Sequence, residues 1–268
     1  MLTAQNLHVS TAQRTLLNQI DIELRPGEFT VILGANGAGK STLLEAFVGG
    51  AAAFTHLHAN GVVKFQQRSL KAWPAKTLAK RRAVMPQQSK LEFPFRVDEV
   101  VLMGRSPHRA SKKDLEIVEQ AMRCLDVYHL KQQLFPTLSG GEQQRVQLAR
   151  VLTQIWPSAE AQNIPLRYLL LDECTSALDP AHQHQVLNVI RKFTCSTLAT
   201  CAVMHDLNLA AQYGDRILLM KEGQIIADGT PSEVLTTEQL ANAYHLKTKI
   251  IHDPQFSYPL IISLGSFI

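Results

Sequence analysis

The period of apolar and polar positions changes several times along this chain, and each change predicts an element. Ile20, Ile22 and Leu24 alternate with Asp21, Glu23 and Arg25, the period of a half-exposed antiparallel strand. Pro26-Gly27 marks a turn. Phe29 to Leu33 is an unbroken apolar run, as in a strand covered on both faces of a parallel sheet. From Lys40 to Val48 the spacing turns helical: Leu43, Leu44, Phe47 and Val48 share a face, and Gly49-Gly50 predicts the stop. The middle, from about Ser89 to Trp156, is helix-rich, with helical spacing over Val97 to Met103 and Asp114 to Tyr128. Strand-like runs resume at Leu166 to Leu171, Cys201 to Met204 and Arg216 to Met220, and Glu222-Gly223 predicts a hairpin turn. The tail, Thr248 to Ile268, reads as short strands packed on the core. No internal repeat or low-complexity segment is present.

Composition narrows the classes. The 268 residues suffice for one large domain or two small ones, and 46% apolar content is enough for an ordinary core. A net charge of +4 is mild, and the longest basic cluster, Lys80-Arg81-Arg82, reads as a solvated helix face, so no nucleic-acid partner is expected. Cys124, Cys174, Cys195 and Cys201 form no C-x-x-C pair and have no ligand-spaced His beside them. Neither zinc nor a disulfide framework is expected, and free thiols fit a reducing cytosol. Met1 to Asn6 has no apolar signal core, and no apolar run approaches the ~20 residues of a membrane helix. Work at a membrane would therefore go through a partner.

Three motifs carry chemistry. Gly34-Ala35-Asn36-Gly37-Ala38-Gly39-Lys40-Ser41 fits G-x-x-x-x-G-K-[ST] in full, between a buried strand and a helix. Its glycines let backbone N–H groups turn toward phosphates, Lys40 can reach the β- and γ-phosphates, and the positive helix end faces the anion. Ser41 offers a hydroxyl to Mg²⁺, and Thr42 completes the phosphate-binding run. Asp172 ends an apolar strand, so its carboxylate emerges at the carboxyl edge of the sheet and is a second Mg²⁺ candidate. Glu173 points elsewhere and can orient or deprotonate a water. Ser139-Gly140-Gly141 opens a helix and so makes a further anion site.

Together these residues resemble the ATP-binding subunit of ABC transporters, over nearly the whole chain. Leu138-Ser139-Gly140-Gly141-Glu142 matches the family signature, with Glu142 where Gln is commoner. The resemblance implies an α/β fold: a P-loop NTPase (RecA-like) core with an N-terminal antiparallel β subdomain (1–88 and 157–268) and an inserted α-helical subdomain carrying the signature (89–156). It makes Gln87, in Met85-Pro86-Gln87, the glutamine that senses metal and γ-phosphate. Ser176-Ala177-Leu178-Asp179 becomes the loop that crosses the dimer interface. His205 becomes the histidine that contacts the γ-phosphate and organises the water beside Glu173. The implied catalytic set is Glu173, His205 and Gln87, with Mg²⁺ held by Ser41, Gln87 and Asp172. ATP would lie on Gly34 to Thr42 of one subunit under Ser139, Gly140, Gly141 and Asp179 of another, so that two nucleotides sit at a two-fold interface. ATP binding would close the dimer and hydrolysis open it.

Two positions depart from the pattern. The aromatic that usually stacks on adenine, worth ~1–3 kcal/mol, falls near Thr11, and Arg14 is the expected substitute, lying on the ring. Cys174 stands where proline is common. The stretch Phe93 to Pro107 is similar to importers of ferric siderophores, heme and cobalamin, in which the groove beside Gln87 receives a permease helix. With the long Gln154–Arg167 loop, the likeness points to heme as the leading cargo, and ferric siderophore, cobalamin or a transition metal are the alternatives. The implied partners are a second copy, a permease dimer in the bacterial inner membrane with this chain on its cytoplasmic face, and indirectly a periplasmic heme-binding protein. A non-transport ABC ATPase of the repair or translation type fits poorly. About a hundred residues separate Lys40 from Ser139 without sustained heptads, and one cassette is present. The pairs His56/His58 and His182/His184 are expected to be surface histidines, because residues two apart share no helix face.

Overall fold

In the computed structural model the described residues are 1–54, 57–87, 91, 93–156 and 164–266, with the backbone alone at Ala51 and Ala52. His56, the subdomain boundary at Ser89, residues 157–163 of the Gln154–Arg167 loop and the terminal Ile268 lie outside them.

Among the described residues the chain forms two large sheets and a small two-stranded one. The first is antiparallel and built from β1 (Leu2–Ser10), β2 (Thr15–Leu24), β4 (His58–Phe65) and β5 (Arg68–Ser69), in the order β2-β1-β4-β5. The predicted alternation is realised in β2: Ile20, Ile22 and Leu24 are buried while Asp21 is exposed and Glu23 half-exposed. Between β2 and β4 run β3 (Phe29–Gly34), buried at every residue, and α1 (Lys40–Gly49). Gly49 extends the helix and Gly50, at φ 62°, ends it, one residue later than the spacing predicts.

The second sheet takes β3 at its centre. After α2 (Ala75–Ala79) come β6 (Arg82–Met85), α3 (Val97–Leu102), α4 (Lys113–Cys124) and α5 (Gly140–Gln154). The chain continues with β7 (Arg167–Asp172), α6 (Pro180–Phe193), β8 (Leu198–Val203), α7 (Leu207–Tyr213), β9 (Arg216–Lys221) and β10 (Gln224–Gly229). The order is β10-β9-β3-β8-β7-β6, parallel except for the β9–β10 hairpin. That hairpin turns at Glu222 and Gly223, both with positive φ, as predicted. The strands β3, β7 and β8 are buried at every residue and covered on both faces, which is why their sequences lack alternation. One apolar cluster runs from α3, α4 and α5 across one sheet face, and another joins α1 to the antiparallel sheet.

Several predicted elements are trimmed. The Val97 run tightens into a 3₁₀ turn at Met103–Arg105. The Asp114 run stops at Cys124, because Asp126 takes φ 53° and breaks the helical path before a short turn at Tyr128–Leu130. Gly104 is required where these helices meet: a Cβ there would lie 2.0 Å from the Arg150 carbonyl. Beside it Arg105 binds Asp114 at 2.8 Å and the Thr153 carbonyl at 2.8 Å, tying the α3 end to α4 and α5. The basic cluster is not a helix face. Lys80 caps α2, Arg81 lies over the Trp73 ring and donates to Gln66, and Arg82 opens β6 and donates to the Phe47 carbonyl. After α8 (Pro231–Val234) and α9 (Thr237–Tyr244), β11 (Leu246–Ile251) and β12 (Leu260–Ser266) form a separate two-stranded sheet. Within β12 only Ile261 is buried, so the tail packs more shallowly than expected.

Candidate active site

The adjacent parallel strands β3, β7 and β8 end side by side, and each delivers one functional group to the same edge. The loop after β3 leads from Gly34 to α1. Gly39 has φ 101°, and a Cβ there would come within 2.6 Å of the Leu16 carbonyl, so only glycine fits. Lys40 is 6% exposed, and its ammonium donates to the carbonyls of Gly34 at 2.8 Å and Ala35 at 3.1 Å. Burial lowers its pKa, opposed by the carboxylates of Glu173 and Asp172. The Ala38 N–H closes a turn on the Ala35 carbonyl at 3.1 Å. The Gly34 N–H donates to the hydroxyl of Tyr244, on α9, at 2.7 Å.

Asp172, at the end of β7, is buried, and the Ser41 hydroxyl donates to its Oδ1 at 3.4 Å. Burial raises its pKa; the Ser41 hydrogen bond opposes this and neighbouring Glu173 adds to it. Glu173 takes φ 54°, in the left-handed region. His205, just past β8, donates from Nε2 to Glu173 Oε1 at 2.5 Å, and the Gln87 side chain, just past β6, bonds the same carboxylate. Burial pushes the Glu173 carboxyl up, but the hydrogen bonds from His205 and Gln87 outweigh it and leave the pKa lowered.

A cleft of about 230 Å³ is lined by Arg14, Leu16, Asn36, Gly37, Gly39, Lys40, Ser41, Thr42, Gln87, Glu173 and His205. The predicted phosphate loop, the acid, the histidine, the glutamine and Arg14 are thus brought together. Gly34 and Ala35 hold Lys40 through their carbonyls, and Ala38 is buried. A larger groove of about 340 Å³ between β2 and β10 is lined by Asp21, Asp228 and side-chain amides, a poor match for phosphate.

Ser139, Gly140, Gly141 and Asp179 do not line the cleft of their own chain. Ser139 caps α5, and the Glu142 carboxylate accepts from both the Ser139 N–H at 2.8 Å and its hydroxyl at 2.7 Å. Glu142 in place of Gln therefore completes a capping box. Asp179 caps α6, accepting from the His182 N–H at 3.0 Å and meeting its ring at 2.7 Å. His184 instead meets the Tyr213 hydroxyl at 2.8 Å, so the two histidines serve different partners.

Sequence reasoning missed Tyr244 and Gln144. Gln144 lies two residues past the signature, and its contacts with the 173–177 loop have no local sequence signal. Tyr244 lies about two hundred residues from the loop it supports, beyond the reach of local motif reading. All four cysteines are free; burial pushes the Cys174 thiol up to about 12.

The model for the ABC transporter family matches residues 17–176. The hemin import ATP-binding protein HmuV of Gloeobacter violaceus is 48% identical over 99% of this chain and 95% of its own. The protein of that name from Pseudomonas fluorescens strain Pf0-1 is 45% identical over 98% of this chain and all of its own. Among solved structures, an inward-facing ABC transporter described as of metal-chelate type matches with a TM-score of 0.75 and 25% identity, over 98% of this chain and 96% of that one.

Proposed function

Because the chain belongs to the ABC transporter family as an ATP-binding subunit, we propose that it hydrolyses ATP to drive import of heme through a membrane permease. The observation that carries the reading is the cleft that holds Lys40, Ser41, Gln87, Glu173 and His205 together. The cargo rests on likeness to the hemin importers, and heme, an iron chelate, also falls in the cargo class of the solved relative. Among the described residues no helix is long and apolar enough to cross a membrane. The chain then sits on the permease at the cytoplasmic face of the inner membrane, with a periplasmic heme-binding protein delivering cargo on the far side.

In this mechanism Lys40 leaves the Gly34 and Ala35 carbonyls for the phosphates, and the N–H groups of Gly37 to Ser41 close around them. Arg14, exposed at the cleft rim, lies on the adenine in place of the missing aromatic. The Ser41 hydroxyl, the Asp172 carboxylate and the Gln87 amide are hard oxygen donors, the set Mg²⁺ selects. Bound there, Mg²⁺ would neutralise phosphate charge. Glu173, ionised well below neutral pH, accepts the proton of the attacking water, and His205 holds its carboxylate in place. Ser139 to Gly141 and Asp179, outside their own cleft, complete the site of a second copy. The chain is therefore read as one large domain whose helical insert presents the signature.

The test is ATPase activity in lipid with the permease encoded beside it. Stimulation by a heme-loaded binding protein and not by a ferric-siderophore-loaded one is expected. Lys40-dependent basal turnover with no heme response would keep the ATPase and discard heme.

A further inference from the structure

Gln144 has no part in the mechanism above, yet its carboxamide bridges α5 to the loop that carries Glu173. Nε2 donates to the main-chain carbonyl of Glu173 at 2.9 Å and lies 3.4 Å from the Ser176 hydroxyl. Oε1 accepts from the Ala177 N–H at 3.1 Å. Each end of the amide is used, so its orientation is fixed: a flipped amide would set N–H against N–H. The gripped carbonyl belongs to the one residue of this loop in the left-handed region. One turn away on the same helix, a Cβ on Gly141 would come 3.1 Å from the Ala177 carbonyl and 3.4 Å from the Leu178 side chain, so helix and loop pack closely there.

The loop does not need Gln144 to close. Ser176 donates to the Glu173 carbonyl from its N–H at 3.3 Å and its hydroxyl at 3.1 Å, and Leu178 donates to Thr175 at 3.2 Å. What Gln144 adds is rigidity between two places: the N-terminus of α5, with Ser139 as its cap, and the backbone that aims the Glu173 carboxylate at its 2.5 Å hydrogen bond with His205.

We propose that Gln144 is a positioning residue that couples the signature to the glutamate of its own chain. Docking of Ser139 to Gly141 on the partner's nucleotide then sets Glu173 against the nucleotide held by its own phosphate loop. This rests on the reading of Glu173 as the base and of a site shared between two copies. In effect, each active site is licensed by occupancy of the other.

Mixed dimers test it. Two differently tagged copies are co-purified with the permease, one carrying Glu173→Gln, so that the working glutamate lies in the other copy. The signature above that working site belongs to the Glu173→Gln copy. Gln144→Ala is then placed in either copy. The expected result is a kcat at least tenfold lower when it shares a chain with the intact Glu173 than when it shares a chain with Glu173→Gln, with KM for ATP alike in the two. Equal losses, or a larger loss in the Glu173→Gln copy, would overturn the proposal. Gln144→Glu, which can still accept from Ala177 but has no N–H for the Glu173 carbonyl, must show the same asymmetry. Thermal melts within about 2 °C of the parent dimer exclude a folding defect, as that shift corresponds to a small change in stability for a chain of this size. If the Glu173→Gln homodimer turns over normally, the reading of Glu173 fails and this proposal with it; an inactive homodimer with symmetric losses sinks this proposal alone.

Discussion

His205 donates from Nε2 to Glu173 Oε1 across 2.5 Å, joining the ends of two neighbouring parallel strands. The imidazole is half-exposed and the carboxylate mostly covered. The contact fixes the carboxylate while leaving the ring open to the cleft. Removing it should cost catalysis rather than folding. His205→Ala should lower kcat by about 10²-fold or more, the scale of a positioned acid–base group, with an unchanged circular dichroism spectrum.

Lys40 and Glu173 should separate binding from hydrolysis. Lys40→Ala removes the cation beside the loop carbonyls and should abolish ATP binding in a fluorescent-nucleotide titration. Glu173→Gln keeps the shape of the side chain but cannot take a proton. It should bind ATP and accumulate as a dimer in gel filtration, while remaining monomeric with ADP. A variant that stays monomeric with ATP would contradict the shared site.

Tyr244 offers a test of the phosphate loop away from the nucleotide. Tyr244→Phe removes the acceptor of the Gly34 N–H. A buried unpaired donor costs roughly 1–3 kcal/mol, and the loop should loosen, raising KM for ATP about three- to tenfold with little change in kcat. Burial pushes the phenol up to about 12, so it stays neutral under assay conditions. The effect on KM should therefore be flat between about pH 6 and 9.

The buried Arg105–Asp114 pair predicts a pH dependence of stability. Burial raises the Asp114 pKa, but the hydrogen bonds from Arg105 and the Ser111 N–H outweigh it and leave it lowered. The unfolded chain therefore takes up the proton first. The stabilisation is complete above the unfolded value near 3.9 and is lost as pH falls through the lower folded value. Asp114→Asn leaves Arg105 buried without its counter-charge and should cost roughly 3 kcal/mol at pH 7. Thermal melts should show the gap between wild type and variant narrowing as pH drops below about 4.

Much of this was legible because the chemistry is local. Gly34 to Thr42 and Asp172-Glu173 are contiguous, and a buried strand followed by a glycine-rich loop and a helix has one geometry. Element ends were read less well. Asp126 breaks the helical path after α4 through positive φ, which apolar spacing does not register, and Lys80-Arg81-Arg82 spans a helix end and a strand start although its composition reads as one surface.

By itself the sequence determined most of the elements, the glycine-rich loop before α1 and the residue types of the candidate site, because periodicity and short motifs are properties of neighbours along the chain. Only the tertiary structure decided which distant groups share an atom-to-atom contact. His205 meets Glu173, Tyr244 supports Gly34, and Gln144 grips the loop after Glu173, because parallel strand order and helix packing put them within 3 Å. Such contacts depend on directions in space that no local pattern encodes.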